Sequence, residues 1–297
     1  MADDYNVQGI VKMHRKTGRM IREDNTYINM ADYEANSHES YYKKQLDYHT
    51  QVSRGEIPNH TVVHKFGMNS NVSSTFVPIC NSGFYRTPTN NVALEIVSSS
   101  ANDTSTGTGA RQITYEGLAI SGTDLVIVSN TVTLNGTSAV NLPDSLFRLY
   151  RWYVSQSGTY ATQVAGSHAG TLTIREQGGG STWSTITTTG FPRSQSQIGA
   201  YTVPTGFTAY VNRISFSVEL DKTADFLMFK RTGVLNTTAP YDAMRLVTEV
   251  NSASGASTFD LQTPIKIEEE TDFGFLGKFK SNTGTMTIDF DFILLEN

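Results

Sequence analysis

Residues 107–140 read GTGARQITYEGLAISGTDLVIVSNTVTLNGTSAV, and the reading of this stretch decides the fold class. Two strand-like runs, Gln112–Leu118 and Thr131–Val140, flank a third, Leu125–Ser129, with Gly, Ser, Thr and Asn at every bend. Val, Ile and Thr runs set between Gly/Asn turns predict an antiparallel meander rather than a βαβ unit. Ser and Thr dominate the polar positions, and no Asp, His or Cys cluster interrupts the run. The stretch reads as structural sheet, poor in chemistry.

The same grammar extends toward the C-terminus. In Ile214–Leu220 the alternation sends Ile214, Phe216, Val218 and Leu220 inward and Ser215, Ser217 and Glu219 outward. In Met286–Leu294 it sends Met286, Ile288, Phe290, Phe292 and Leu294 inward and Asp289 and Asp291 outward, one dry and one wet face per strand. Pro204-Thr205-Gly206 and Ser281–Gly284 are turn sequences between strands. About a dozen such strands without an intervening helical pattern predict an all-β fold, an antiparallel sandwich of jelly-roll type.

Composition divides the chain near residue 65. All 15 Phe and both Trp lie beyond it, whereas six of the 14 Tyr and five of the six His precede it. Residues 1–65 carry 9 basic and 9 acidic side chains, so the net charge of −5 belongs wholly to the remainder. Without Phe or Trp, residues 1–65 bury little surface alone and read as an extended or helical arm, with residues 66–297 as the sandwich body. Asn36 and Glu39 have capping-box spacing, and His38, Tyr42, Leu46, His49 and Val52 recur at helical intervals, predicting one short helix over about 37–53. Tyrosines bury area at low entropy cost and keep a polar tip, so Tyr27, Tyr33, Tyr41, Tyr42, Leu46 and Tyr48 are the expected partner-binding residues of the arm.

The acidic balance argues against nucleic-acid binding through a basic surface, and no apolar run approaches a membrane span. The first residues, MADDYNVQGI, lack the pattern of a signal peptide, which predicts synthesis and assembly in a cytoplasm. The lone Cys80 reads as a small buried hydrophobe. His60 and His64 in HTVVH invite a metal reading, but four strand residues span ~13 Å, too far for one zinc. Gly107-Thr108-Gly109 and Gly178-Gly179-Gly180 lack the Lys-Ser/Thr and helix of a phosphate loop and read as hairpin glycines. Glu268, Glu269, Glu270 and Asp272, with Asp289 and Asp291, lack a calcium-loop spacing and read as outward charges that keep sheets soluble. His168 has no G-x-S-x-G partner. Tyr160, Trp183, Tyr201 and Tyr210 read as packing aromatics ahead of ligand platforms. The five N-x-Ser/Thr sites, at Asn59, Asn71, Asn102, Asn135 and Asn236, read as chance matches. No catalytic residue, metal ligand or cofactor site is expected.

GTGARQITYEGL followed by TVTLNGTSAV, then LYRWYVSQSGT (149–159), GTLTIREQ (170–177), AYTVPTGFTAYV (200–211) and PIKIEEETDF (264–273), resembles a family of virion structural proteins from tailed bacteriophages common among marine phages. Ala119 stands where members often carry an acidic residue. The resemblance spans roughly residues 60–297 and implies a component of the phage particle. It sets the expectation of a non-enzymatic virion protein whose arm attaches to capsid, portal or neck proteins and whose body is a decoration, neck or fibre component, in homo-oligomeric form. A fibre or spike that grips a host surface glycan is the second reading, and a tailspike-type polysaccharide hydrolase the third.

Overall fold

A computed structural model describes residues 5–7, 11–13, 20–22, 47–160, 166–188 and 194–297. The chain divides into two compact units, Met1–Pro58 and Asn59–Asn297. The division precedes the boundary expected at residue 65, because His60–Lys65 already belong to a long strand of the second unit. In the first unit, β1 (Tyr5–Val7), β2 (Val11–Met13) and β3 (Met20–Arg22) form a small antiparallel sheet. The helix α1 spans Tyr48–Ser53, with extended Asp47 (φ −63, ψ 158) as N-cap accepting from the Thr50 amide at 3.0 Å. Of the helix expected over 37–53, the described residues show the part from Tyr48 to Ser53, which starts at the extended, side-chain capping Asp47. Residues 36–46, with the predicted capping box and the His38, Tyr42 and Leu46 part of the stripe, lie outside the described residues, while His49 and Val52 of the stripe lie in α1, Val52 buried.

The second unit is all antiparallel sheet, as expected, but contains two sandwiches where one was foreseen. The first is built from β4 (His60–Val72), β5 (Val77–Pro78), β13 (Ala200–Thr202), β14 (Phe207–Val218), β15 (Ala224–Arg231), β16 (Arg245–Ala253), β17 (Ala256–Ile267), β18 (Asp272–Phe279) and β19 (Gly284–Glu296). One sheet runs β17-β14-β19-β4, and the other β13-β18-β15-β16 with β5 also on β18. These orders describe one long antiparallel ribbon. The arm β4-β5-β14-β15 pairs with the returning arm β19-β18-β17-β16, down to the β15·β16 tip. Rolled up, the ribbon places β19 beside β14 and β18 beside β15, and this is a jelly roll. Between its sheets lie Phe216, Phe226, Phe273, Phe275, Phe290 and Phe292, all buried.

The second sandwich is inserted between β5 and β13. Its strands are β6 (Val92–Ser98), β7 (Ala110–Ser121), β8 (Asp124–Thr133), β9 (Val140–Leu146), β10 (Arg148–Ser157), β11 (Leu172–Glu176) and β12 (Thr182–Ile186). Sheets β12-β11-β6-β9 and β10-β7-β8 enclose Ile96, Ile113, Tyr115, Trp152, Ile174 and Trp183. The chain leaves and re-enters the jelly roll through a two-stranded stalk. There the Gly199 amide donates to Ile79 at 3.1 Å, the Asn81 amide to Gln197 at 2.9 Å, and Cys80 bridges Ile198. A Cβ on Gly67 would overlap the Ile79 carbonyl oxygen and the Gly199 amide, so only glycine lets β4 pass beneath the stalk.

The three-strand meander is corrected in one respect. Leu125–Ser129 and Thr131 onward join into the single strand β8, and the chain turns at Asn135-Gly136 (Gly136 φ 61) before β9 starts at Val140. β7 and β8 are a hairpin, whereas β9 crosses to the opposite sheet and pairs with β6. Leu220 is also corrected: it is 83% exposed because β14 ends at Val218 and residues 219–222 turn toward β15. The inward set of β19 is as expected, with Met286, Ile288, Phe290, Phe292 and Leu294 all buried and Asp289 and Asp291 half-exposed. Asp289 is held above the usual aspartate range, by burial first and then by the adjacent Asp291 carboxylate. Phe290→Ala should cost ~3–5 kcal/mol in urea titration. Asp289→Asn should change stability by less than ~0.5 kcal/mol at neutral pH, in the stabilising direction, since a raised acid destabilises the fold once ionised. The reverse ranking would place the strand one residue out of register.

Candidate functional site

The two sandwiches meet at a buried ion pair. Arg148, at the start of β10, donates from Nε and Nη2 to the two oxygens of Asp272, at the start of β18, each at 2.9 Å. Both side chains are nearly inaccessible, at 1% and 3% exposure. Further hydrogen bonds anchor both partners locally. Arg148 Nη1 donates to the Phe147 carbonyl at 2.8 Å and the Pro88 carbonyl at 3.2 Å, and Asp272 Oδ1 accepts from the Thr202 hydroxyl at 2.5 Å. Tyr85 closes the network on Thr202 at 2.9 Å; burial first, then the Asp272 charge, raise its phenol and keep it protonated. A forked guanidinium–carboxylate pair fixes both distance and orientation. Asp272, expected among outward charges, is thus buried at the junction. Alternation could not show this, because β18 begins with four successive buried residues.

The other acidic residues of that run go to separate partners. Glu268 accepts from Lys230 at 3.1 Å, Glu269 from the Gly206 amide at 2.6 Å, and Glu270 from the Thr205 hydroxyl at 2.9 Å. Among the described residues no group of three or more His, Cys, Asp or Glu is placed to hold a metal ion. His64 Nδ1 lies 2.5 Å from Asp291 Oδ1 on the outer face of the β4/β19 pair, with Arg213, Ser215 and Asp289 around it. The Ser215 hydroxyl is engaged with Thr258 at 2.5 Å.

The glycine-rich loops do grip anions, and the anions are the protein's own. The amides of Gly178 and Gly179, both at φ 78, donate to Glu95 at 3.0 and 3.1 Å, and Arg175 joins them at 2.7 Å. Burial alone would push Glu95 up; the Gly178 amide, then Arg175 and Gly179, outweigh it and hold the carboxyl below the usual glutamate range. Around Gly107-Thr108-Gly109, buried Asp103 accepts from the amides of Ala110, Ala169 and Gly170 at 2.7–2.8 Å and from Ser98 at 2.5 Å. His168 is buried beside this loop, and desolvation lowers its imidazole against the pull of Asp103. Cys80 is buried, its thiol pushed up to about 12 by desolvation. Trp183 and Tyr201 pack in the two cores, while Tyr160 is exposed.

A cleft of about 590 Å³ runs between the sandwiches, bordered by residues 61–66 of β4 and by Glu116, Ile127 and Arg151 of the insertion. Of the expected arm contacts, Tyr48 is the first residue of α1 and is exposed. Tyr27, Tyr33, Tyr41, Tyr42 and Leu46 lie outside the described residues. No helix among the described residues is long and apolar enough to cross a membrane.

No family model matches this sequence, and no curated protein matches it. Among solved structures the chain is similar to T=1 particles derived from infectious bursal virus, at 11% identity over 80% of this chain and 69% of that one, TM-score 0.23. It is similar also to the Gx strain of infectious bursal disease virus, at 11% identity over 80% and 76%, TM-score 0.20. Likeness at this level carries no argument, and the fold rests on the strand orders above.

Two outcomes follow from this geometry. Arg148→Met strands a buried carboxylate and should cost about 3–5 kcal/mol, whereas adding Asp272→Asn should recover a large part of that loss. A denaturant double-mutant cycle measures the coupling, and additive losses would disprove it. For Glu95, a depressed carboxyl contributes stability that is full above its unfolded value of 4.5 and is lost as pH falls through its lower folded value. Exchange protection of the Gly178 and Gly179 amides should therefore survive at neutral pH and fall away only in acid, or at any pH in Glu95→Gln.

Proposed function

We propose that this protein is a non-enzymatic structural component of a tailed-phage virion, attached to capsid, portal or neck through residues 1–58 and displaying the double sandwich on the particle. The observation that carries the reading is the use made of the chain's charged and glycine-rich motifs. Arg148–Asp272, Glu95 with its glycine amides, and Asp103 with its loop amides are all engaged in holding strands and loops in fixed relation. Such bonding builds a stiff block for assembly, and jelly rolls serve that purpose in viral shells. Fold alone does not imply function; the resemblance of the sequence motifs to phage virion proteins is what supports reading the protein as part of a particle. Among the described residues β4, β16 and β17 stand at sheet edges, which favours a protein that works in contact with neighbours, including copies of itself.

The attachment role falls to the first unit because its sequence lacks Phe and Trp and concentrates tyrosine. Deleting residues 1–58 should leave a soluble body that melts cooperatively near the full-length temperature, yet is missing from purified particles. Tyr41, Tyr42 and Leu46 replaced together by Ala should reduce incorporation strongly. Normal copy number after the deletion, counted by quantitative mass spectrometry of particles, would move attachment to the body.

A further inference from the structure

The cleft between the sandwiches has the makings of a ligand site. Six successive residues of β4, 61–66, line one wall, and among the described residues β4 is an edge strand of its sheet. At about 590 Å³ it lies in the range of small-ligand pockets and at the kind of inter-domain position they favour. The walls are mainly carbon, with Val63, Ile127, Phe207 and Leu294 among them. Within this lining sits Lys65, only 5% exposed. Of its three donors, the Tyr150 carbonyl oxygen takes one, and the other two have no acceptor among the described residues.

The charged neighbours do not neutralise this amine. Glu116 of β7 and Arg151 of β10 are bound to each other by two hydrogen bonds of 2.8 Å. The Cys80 thiol is buried and uncharged, and the Tyr150 and Tyr201 phenols are held protonated by burial. From β19, the residue opposite Lys65 is Phe290. A desolvated amine with spare donors, in a space walled by carbon, calls for one anionic group. The other basic side chains of the lining are already paired, Arg151 with Glu116 and His64 with Asp291, so a doubly charged phosphate would meet one uncommitted cation, whereas a carboxylate matches its charge.

We propose that this cleft binds a small carboxylate carried on an apolar body, with the carboxylate on Lys65 and the apolar part between the sandwiches. Burial, acting first, pushes the Lys65 amine down to about 7. Binding therefore requires its protonated form and is full below that midpoint; above it, affinity falls roughly tenfold per pH unit. In return, a bound anion raises the amine's midpoint.

The test is calorimetric titration of the full-length protein with octanoate, one pH unit below and one above that midpoint, with 1-octanol and glucuronate as comparison probes. Octanoate should bind more tightly at the lower pH and more tightly than either comparison. Lys65→Met, which keeps the side-chain length and removes the amine, should melt as the parent does and lose octanoate binding at least tenfold. Should that variant fold poorly, NMR titration of the parent Lys65 side chain decides: its midpoint should rise with octanoate and stay put with octanol. No octanoate binding, binding independent of pH, or octanol binding equally well would overturn the proposal. Preference for glucuronate would overturn the apolar body.

Discussion

Arg148 and Asp272 are 124 residues apart in sequence and 2.9 Å apart in space, and the arrangement of the body depends on that meeting. A jelly roll can close without the insertion, since its arms pair from β4·β19 to the β15·β16 tip. The inserted sandwich can close too, around Trp152 and Trp183. What neither core dictates is how one sits on the other. The stalk at Ile79–Asn81 and Gln197–Gly199 is narrow, and a forked ion pair constrains angle as well as distance. Removing two charges from water is costly, so the pair is better understood as a device for specificity than as a source of net stability.

The network around the pair explains its tolerance of burial. Asp272 also receives Thr202, and Arg148 also reaches two carbonyls, so four of the five guanidinium donors are engaged within the protein. Thr202 lies on β13, which pairs with β18 beside Asp272. Stacked Tyr150 and Tyr201, with ring centroids 4.1 Å apart, extend the junction into the Phe273–Phe292 cluster of the jelly-roll core. The junction is thus polar at its centre and aromatic at its flank, and the cleft with Lys65 opens beside it.

Much of the fold was legible in residue order. Ser215, Ser217 and the two Asp of β19 mark the wet face, and the Phe and Ile between them mark the dry one; a period of two needs no tertiary knowledge. Legibility failed where tertiary context overrides the local pattern. Leu220 keeps the phase of its strand but falls past its end. Asp272 reads as a solubilising charge, and only its approach to Arg148 reveals otherwise. The burial of Lys65 is hidden in the sequence because a lysine on a strand is ordinarily outward, yet its parity with Gly67 and Asn69 on the inward side of β4 is a usable signal. The double sandwich was hidden for a related reason. Jelly-roll pairing joins β4 to β19 across nearly the whole chain, and composition does not record which strands are partners.

The claim that the two sandwiches are one locked body is open to direct measurement. Scanning calorimetry of the full-length protein, followed by two probes that report separately on the cores, tests it: fluorescence of Trp152 and Trp183 for the insertion, and exchange of the β14 and β19 amides for the jelly roll. A locked body predicts that the two cores lose structure in one shared transition. Loss of tryptophan burial at a distinctly lower temperature, with the β14 and β19 amides still protected, would show that Arg148 and Asp272 do not couple the two halves.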